Sequence, residues 1–80
     1  MKRTLYMTAT AVAALRKVER RFMSAVWQVL DRLVEDPDAM PLQPDEDDPS
    51  FYWLAVEGDI IVRFEIIDED HAICLLDVGS

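Results

Sequence analysis

The sequence is poor in the residues that build most small chemical sites: it has one cysteine, one histidine and two glycines in 80 residues. A single thiol, Cys74, excludes a disulfide framework and a cluster of thiolate metal ligands. It lies inside an apolar run, which predicts a core filler in a reducing compartment. No stretch reaches the roughly 20 uninterrupted apolar residues of a membrane span. The first residues also lack an apolar segment followed by a small-residue cleavage site, so a cytoplasmic protein without membrane contact is expected. Cations are scarce in the second half. Seven of the eight Lys and Arg residues precede position 33, Arg63 stands alone beyond it, and the net charge is -8. A polyanion is repelled by such a chain unless its cations cluster, so direct nucleic-acid binding is disfavoured. Arg16, Lys17, Arg20 and Arg21 do cluster, but beside so acidic a second half they read as a solvated helix face or an internal charge match.

Eighty residues make one domain, 1-80, with no room for a separate cofactor-binding unit, and no cofactor is expected. A domain of this size buries only about 60% of its unfolded surface, so a partner would add stability to it.

The opening "KRTLYMT" alternates weakly and predicts an edge strand ended by Thr8, which is also a good N-cap. Val12, Leu15, Val18, Phe22, Val26, Val29 and Leu33 then recur at helical spacing. One long helix would satisfy that period, and so would a hairpin bent near Lys17 to Arg20. Helix should stop at Asp36, because Pro37 disfavours helical geometry in the residue before it. "PDAMPLQPDEDDPS", residues 37-50, holds all four prolines and no periodicity, and predicts an acidic, proline-rich loop. It lacks the D-x-D-x-D-G order of a calcium loop, so no metal is expected there.

Two strands follow around Glu57-Gly58-Asp59, where Gly supplies a positive φ. Pairing Val56 with Ile60 puts Tyr52, Leu54, Val56, Ile60, Val62, Phe64 and Ile66 on one wholly apolar face, which should pack on the helices. Strict alternation along a last strand, Ala72 to Val78, places Ile73 and Leu75 on the opposite face with Phe51, Trp53, Ala55, Ile61 and Ile67. The fold class is α+β: two-layer β-α-α-β-β-β, with the helical layer packed on a mainly antiparallel four-stranded sheet; that this layer is a helical hairpin rather than one rod is what the resemblance of the next paragraph implies.

Two stretches carry a family resemblance. "LYMTATAVAALRKVERRFMSAVWQVLDRLVEDP" is similar to the opening of the RelE/ParE toxin superfamily: edge strand, capping Ser/Thr, two amphipathic helices and a D-P stop. "GDIIVRFEIIDEDHAICLLDVG" resembles its closing hairpin, where G-D-Y-R leads into an apolar strand, an acidic turn and a strand ending V-G-H-R. The resemblance implies a toxin of a type II toxin-antitoxin system and an antitoxin that wraps it. In the ribosome-dependent ribonucleases of the family, basic residues of the strands and of the preceding loop serve transfer of a phosphodiester to its own 2′-hydroxyl. That step needs a proton acceptor, a donor and cations facing the developing charge. Here the arginine of G-D-Y-R falls on Ile61, those of the preceding strand on Trp53 and Ala55, and the His-Arg after Gly79 is replaced by Ser80.

The catalytic candidates that remain are Arg63 and His71, against the plainer readings of a cross-strand ion pair and an exposed turn histidine. The expected face for partner binding comprises Phe51, Trp53, Ile61, Arg63, Ile73 and Leu75, covered by an antitoxin-like protein or by self-association. The resemblance thus implies a toxin component without ribonuclease chemistry, acting by protein binding or inactivated. The alternatives are an active mRNA endoribonuclease with its groups elsewhere, and a stand-alone binding or assembly module on the same scaffold.

Overall fold

Thr8 sets the first boundary of the fold. The computed structural model describes residues 2-79. Thr4–Met7 form β1, and helix α1 (Ala9–Lys17) starts directly after Thr8. The Thr8 hydroxyl oxygen accepts from the Ala11 N–H at 3.0 Å, and the hydroxyl donates to the Leu76 carbonyl at 3.1 Å. One side chain therefore caps a helix and ties it to the last strand. Thr8→Ala should lower stability by about 1 kcal/mol, the usual loss of such a cap, which a urea titration would read as a lowered midpoint. An unchanged midpoint would show that neither bond contributes.

The helical stripe is broken into a hairpin, without Gly or Pro. Val18 and Glu19 take extended backbone, with ψ of 134° and 137°, and α2 (Arg20–Glu35) begins at once. Burial explains the break: Val18 and Phe22 both pack against the core across the elbow. Within α1 the buried positions are Ala11 and Leu15, and Val12, expected in the stripe, is 38% exposed. The face is shifted by one residue because alanine, weakly apolar, is what fits against the sheet. Asp36 caps the end of α2 and Pro37 opens a single 3-10 turn, Pro37–Ala39.

The sheet has five strands rather than four: β1, β2 (Gln43–Pro44), β3 (Phe51–Val56), β4 (Ile60–Ile67) and β5 (Ala72–Gly79). Their order is β1-β5-β4-β3-β2, with β1 parallel to β5 and the other pairs antiparallel. The unforeseen β2 lies in the stretch expected to be loop. Its proline is tolerated because the strand is an edge. Beyond it, Asp48 accepts from the Ser50 N–H at 3.0 Å and from its hydroxyl at 2.8 Å, which holds the Asp48 carboxyl below its ordinary range.

Gly58, at φ +80°, is required twice over at the β3–β4 turn. A Cβ there would sit 2.7 Å from ring carbons of Phe22. The pairing of Val56 with Ile60, Leu54 with Val62 and Tyr52 with Phe64 is as expected. Tyr52 and Phe64 stack at 6.0 Å between ring centroids. Leu54, Ile60, Val62 and Phe64 pack with Leu15, Val26, Leu30 and Leu33 of the helices to form the core.

Two residues expected on the opposite face belong to that core. Ile73 and Leu75 are both 0% exposed, paired with Leu5 and Met7 of β1 and with Ile66 and Phe64 of β4. The cause is a β-bulge. Arg63 faces Asp77 but Phe64 faces Leu75, so Leu76 has no partner on β4 and the alternation of β5 changes phase there. Leu75 and Val78, three positions apart, can then both be buried.

Candidate functional site

The helices cover one face of the sheet and leave the other open. On that outer face the register sets up rows of side chains. One runs Tyr6, Cys74, Glu65, Phe51, and the next Asp77, Arg63, Trp53, Gln43. A third aligns Gly79, Ile61 and Ala55. Tyr6 is 54% exposed and Ile61 40%, while Phe51 and Trp53 are half-buried by their neighbours. The face is therefore an aromatic and aliphatic surface crossed by three charged residues, Arg63, Glu65 and Asp77.

Of the expected binding residues, the face gathers Phe51, Trp53, Ile61 and Arg63 and excludes Ile73 and Leu75, which are enclosed in the core. It adds Tyr6, Glu65 and Asp77. Tyr6 was not legible as part of this surface, because its place depends on β1 lying parallel beside β5. Cys74, expected in the core, is half-buried on this face beside Glu65. Burial, and then the Glu65 charge, push its thiol above the ordinary range, so it is held as a neutral thiol rather than a nucleophilic thiolate.

The two catalytic candidates are not brought together. Arg63 lies in mid-sheet opposite Asp77, yet no ion pair joins it to any of the described residues. His71 sits after the 3-10 turn Asp68–Asp70, in left-handed backbone at φ 50°, where its N–H donates to the Asp68 carbonyl at 3.1 Å. The row of Arg63 and the end of β4 at Ile67 are four residues apart, about 13 Å at the rise of a strand. Trp53, Ala55 and Ile61, where the resemblance would put arginines, present no cation, and Ser80 lies outside the described residues.

No side-chain polar or charged group is buried among the described residues, and no group of His, Cys, Asp and Glu side chains among them is placed to hold a metal. No helix is long and apolar enough to cross a membrane. A concavity of about 570 Å³ lies at the helical elbow, lined by Ala13, Ala14, Val18, Phe22, Ile60 and Val78 among others. Lys17, Glu19 and Asp77 also line it.

No protein-family model matches the sequence, and no curated protein matches it. The architecture does have solved counterparts. The isolated E. coli RelE toxin superposes with a TM-score of 0.84 at 18% identity, covering 98% of this chain and 83% of that one. A chain of the toxin-antitoxin complex RelBE2 from Mycobacterium tuberculosis gives 0.85 at 22% identity, covering 100% and 99%. One from the archaeal RelE-RelB complex of Pyrococcus horikoshii gives 0.75 at 17%, covering 100% and 96%. At these identities the likeness is one of architecture, and the chain has the fold of the RelE toxins.

Proposed function

We propose that this chain is the toxin-like component of a type II toxin-antitoxin pair that lacks ribonuclease chemistry and uses the outer sheet face to bind protein. The observation that carries this reading is the composition of that face: Trp53, Ala55 and Ile61 stand where the resemblance puts arginines, Phe51 and Tyr6 lie on the same face, and Arg63 is the one guanidinium left among the described residues of the face. An apolar surface of that extent is a docking surface rather than a catalytic one, because a developing phosphorane charge gains nothing from it. The solved counterparts from M. tuberculosis and P. horikoshii are toxin-antitoxin complexes, which supports an antitoxin-like protein as the partner.

The test is co-expression with the product of the reading frame adjoining the gene. The two should purify as a stable complex in which, with Trp27→Phe removing the chain's other indole, iodide quenches Trp53 less than in the free chain. A pair that does not associate, with Trp53 equally quenched in both preparations, would sink the reading.

A further inference from the structure

We infer that the segment covering the outer sheet face is cationic, an extended or helical stretch with Lys or Arg interleaved among apolar side chains. This rests on the reading of that face as a protein-docking surface. Residues 33-80 hold 14 carboxylates against the one guanidinium of Arg63, and the topology brings most of these acids to the ends of the open face. At one end the β2–β3 loop carries four consecutive acids, Asp45 to Asp48, beside the Asp68–Asp70 turn, where among the described residues only Asp68 is paired, with Arg3 at 3.0 Å; the Ile66 N–H to Ser50 carbonyl bond of 3.2 Å ties the end of β4 to the end of that loop. At the other end the β3–β4 turn carries Glu57 and Asp59. On the face itself Glu65 and Asp77 flank Arg63.

An apolar centre within an acidic rim selects against an acidic occupant, since like charges brought together on docking oppose association. The aromatic residues add a second preference, because Tyr6, Phe51 and Trp53 offer ring faces to a cation. A second copy of the chain has its own exposed cations at the elbow, Arg16, Lys17, Arg20 and Arg21. Its net charge of -8 opposes the approach, however, and a separate basic segment meets no such repulsion.

Synthetic peptides of alternating Leu–Lys, Leu–Glu and Leu–Ser, matched to the 8 residues of β4, test this on the full chain. Trp27→Phe, at an exposed helix position, leaves Trp53 as the sole indole reporter. The Leu–Lys peptide should shift Trp53 emission and bind at least about tenfold less tightly when salt is raised from about 0.05 to 0.5 M. Glu65→Lys with Asp77→Lys, folded by circular dichroism, should reverse the preference toward Leu–Glu. Leu–Ser binding as tightly as Leu–Lys would overturn the charge inference and leave protein docking standing, whereas no peptide reaching Trp53 would overturn both. Self-association without peptide, abolished by Trp53→Ala, would assign the face to a second copy and overturn the proposal.

Discussion

Leu75→Ala should destabilise the folded chain by about 2 to 5 kcal/mol, the cost of emptying a fully buried leucine site. Leu75 is 0% exposed between Met7 of the parallel strand and Phe64, the largest of the fully buried side chains. An 80-residue domain has roughly 4 to 12 kcal/mol of stability in total, so the variant should lose a large part of it and melt about 10 °C or more lower. Leu76→Ala, at the half-buried bulge position, should cost distinctly less. Thermal and urea denaturation of the two variants compare one leucine inside the sheet with its neighbour outside the alternation. A loss at Leu75 of about 0.5 kcal/mol or less, the usual surface value, would mean that β5 follows strict alternation and has no bulge.

Trp53→Ala has the opposite signature. Its side chain sits on the open face between Arg63 and Gln43, so the free protein should lose only the 0.2 to 1 kcal/mol of a cross-strand contact. Association with a partner on that face should weaken by about 2 kcal/mol or more, roughly 30-fold in Kd, because a central tryptophan is the residue type most often found to anchor an interface. Calorimetric titration of the partner and a thermal melt of the variant give both numbers. A collapsed melting temperature with unchanged affinity would place Trp53 in the core. The pairing of Leu54 with Val62 in the core argues against that placement, because a slip of one residue would reverse both faces of β3.

The parts of the fold legible in the sequence are those governed by local rules. Thr8 as a cap, Pro37 as a stop and Gly58 in the turn each act through the backbone of a few neighbours, and the Val56–Ile60 register follows from the turn length. The bulge at Leu76 is not local. Leu75 and Leu76 are chemically alike, and only the need to bury both Leu75 and Val78 against the helices decides which one leaves the alternation. For the same reason the candidate face was half legible. Phe51, Trp53, Ile61 and Arg63 lie on the regular β3–β4 hairpin, where alternation gives the observed side of the sheet, while Ile73 and Leu75 lie before the bulge on β5, where strict alternation gives the wrong side. The two-residue strand Gln43–Pro44 has too little pattern to be read at all, and exists because Trp53 and Tyr52 offer it an edge.

The proposed reading puts a docking face on this scaffold in place of a ribonuclease site. Incubating the purified chain with ribosomes and a reporter mRNA, and mapping 5′ ends, tests it most directly. Removing a single donor that stabilises developing charge typically costs 100- to 1000-fold, about 3 to 4 kcal/mol, and here Trp53, Ala55 and Ile61 each stand at a position where the resemblance would put one. No codon-positioned cleavage above background is expected. Efficient cleavage that Arg63→Ala abolishes would contradict it.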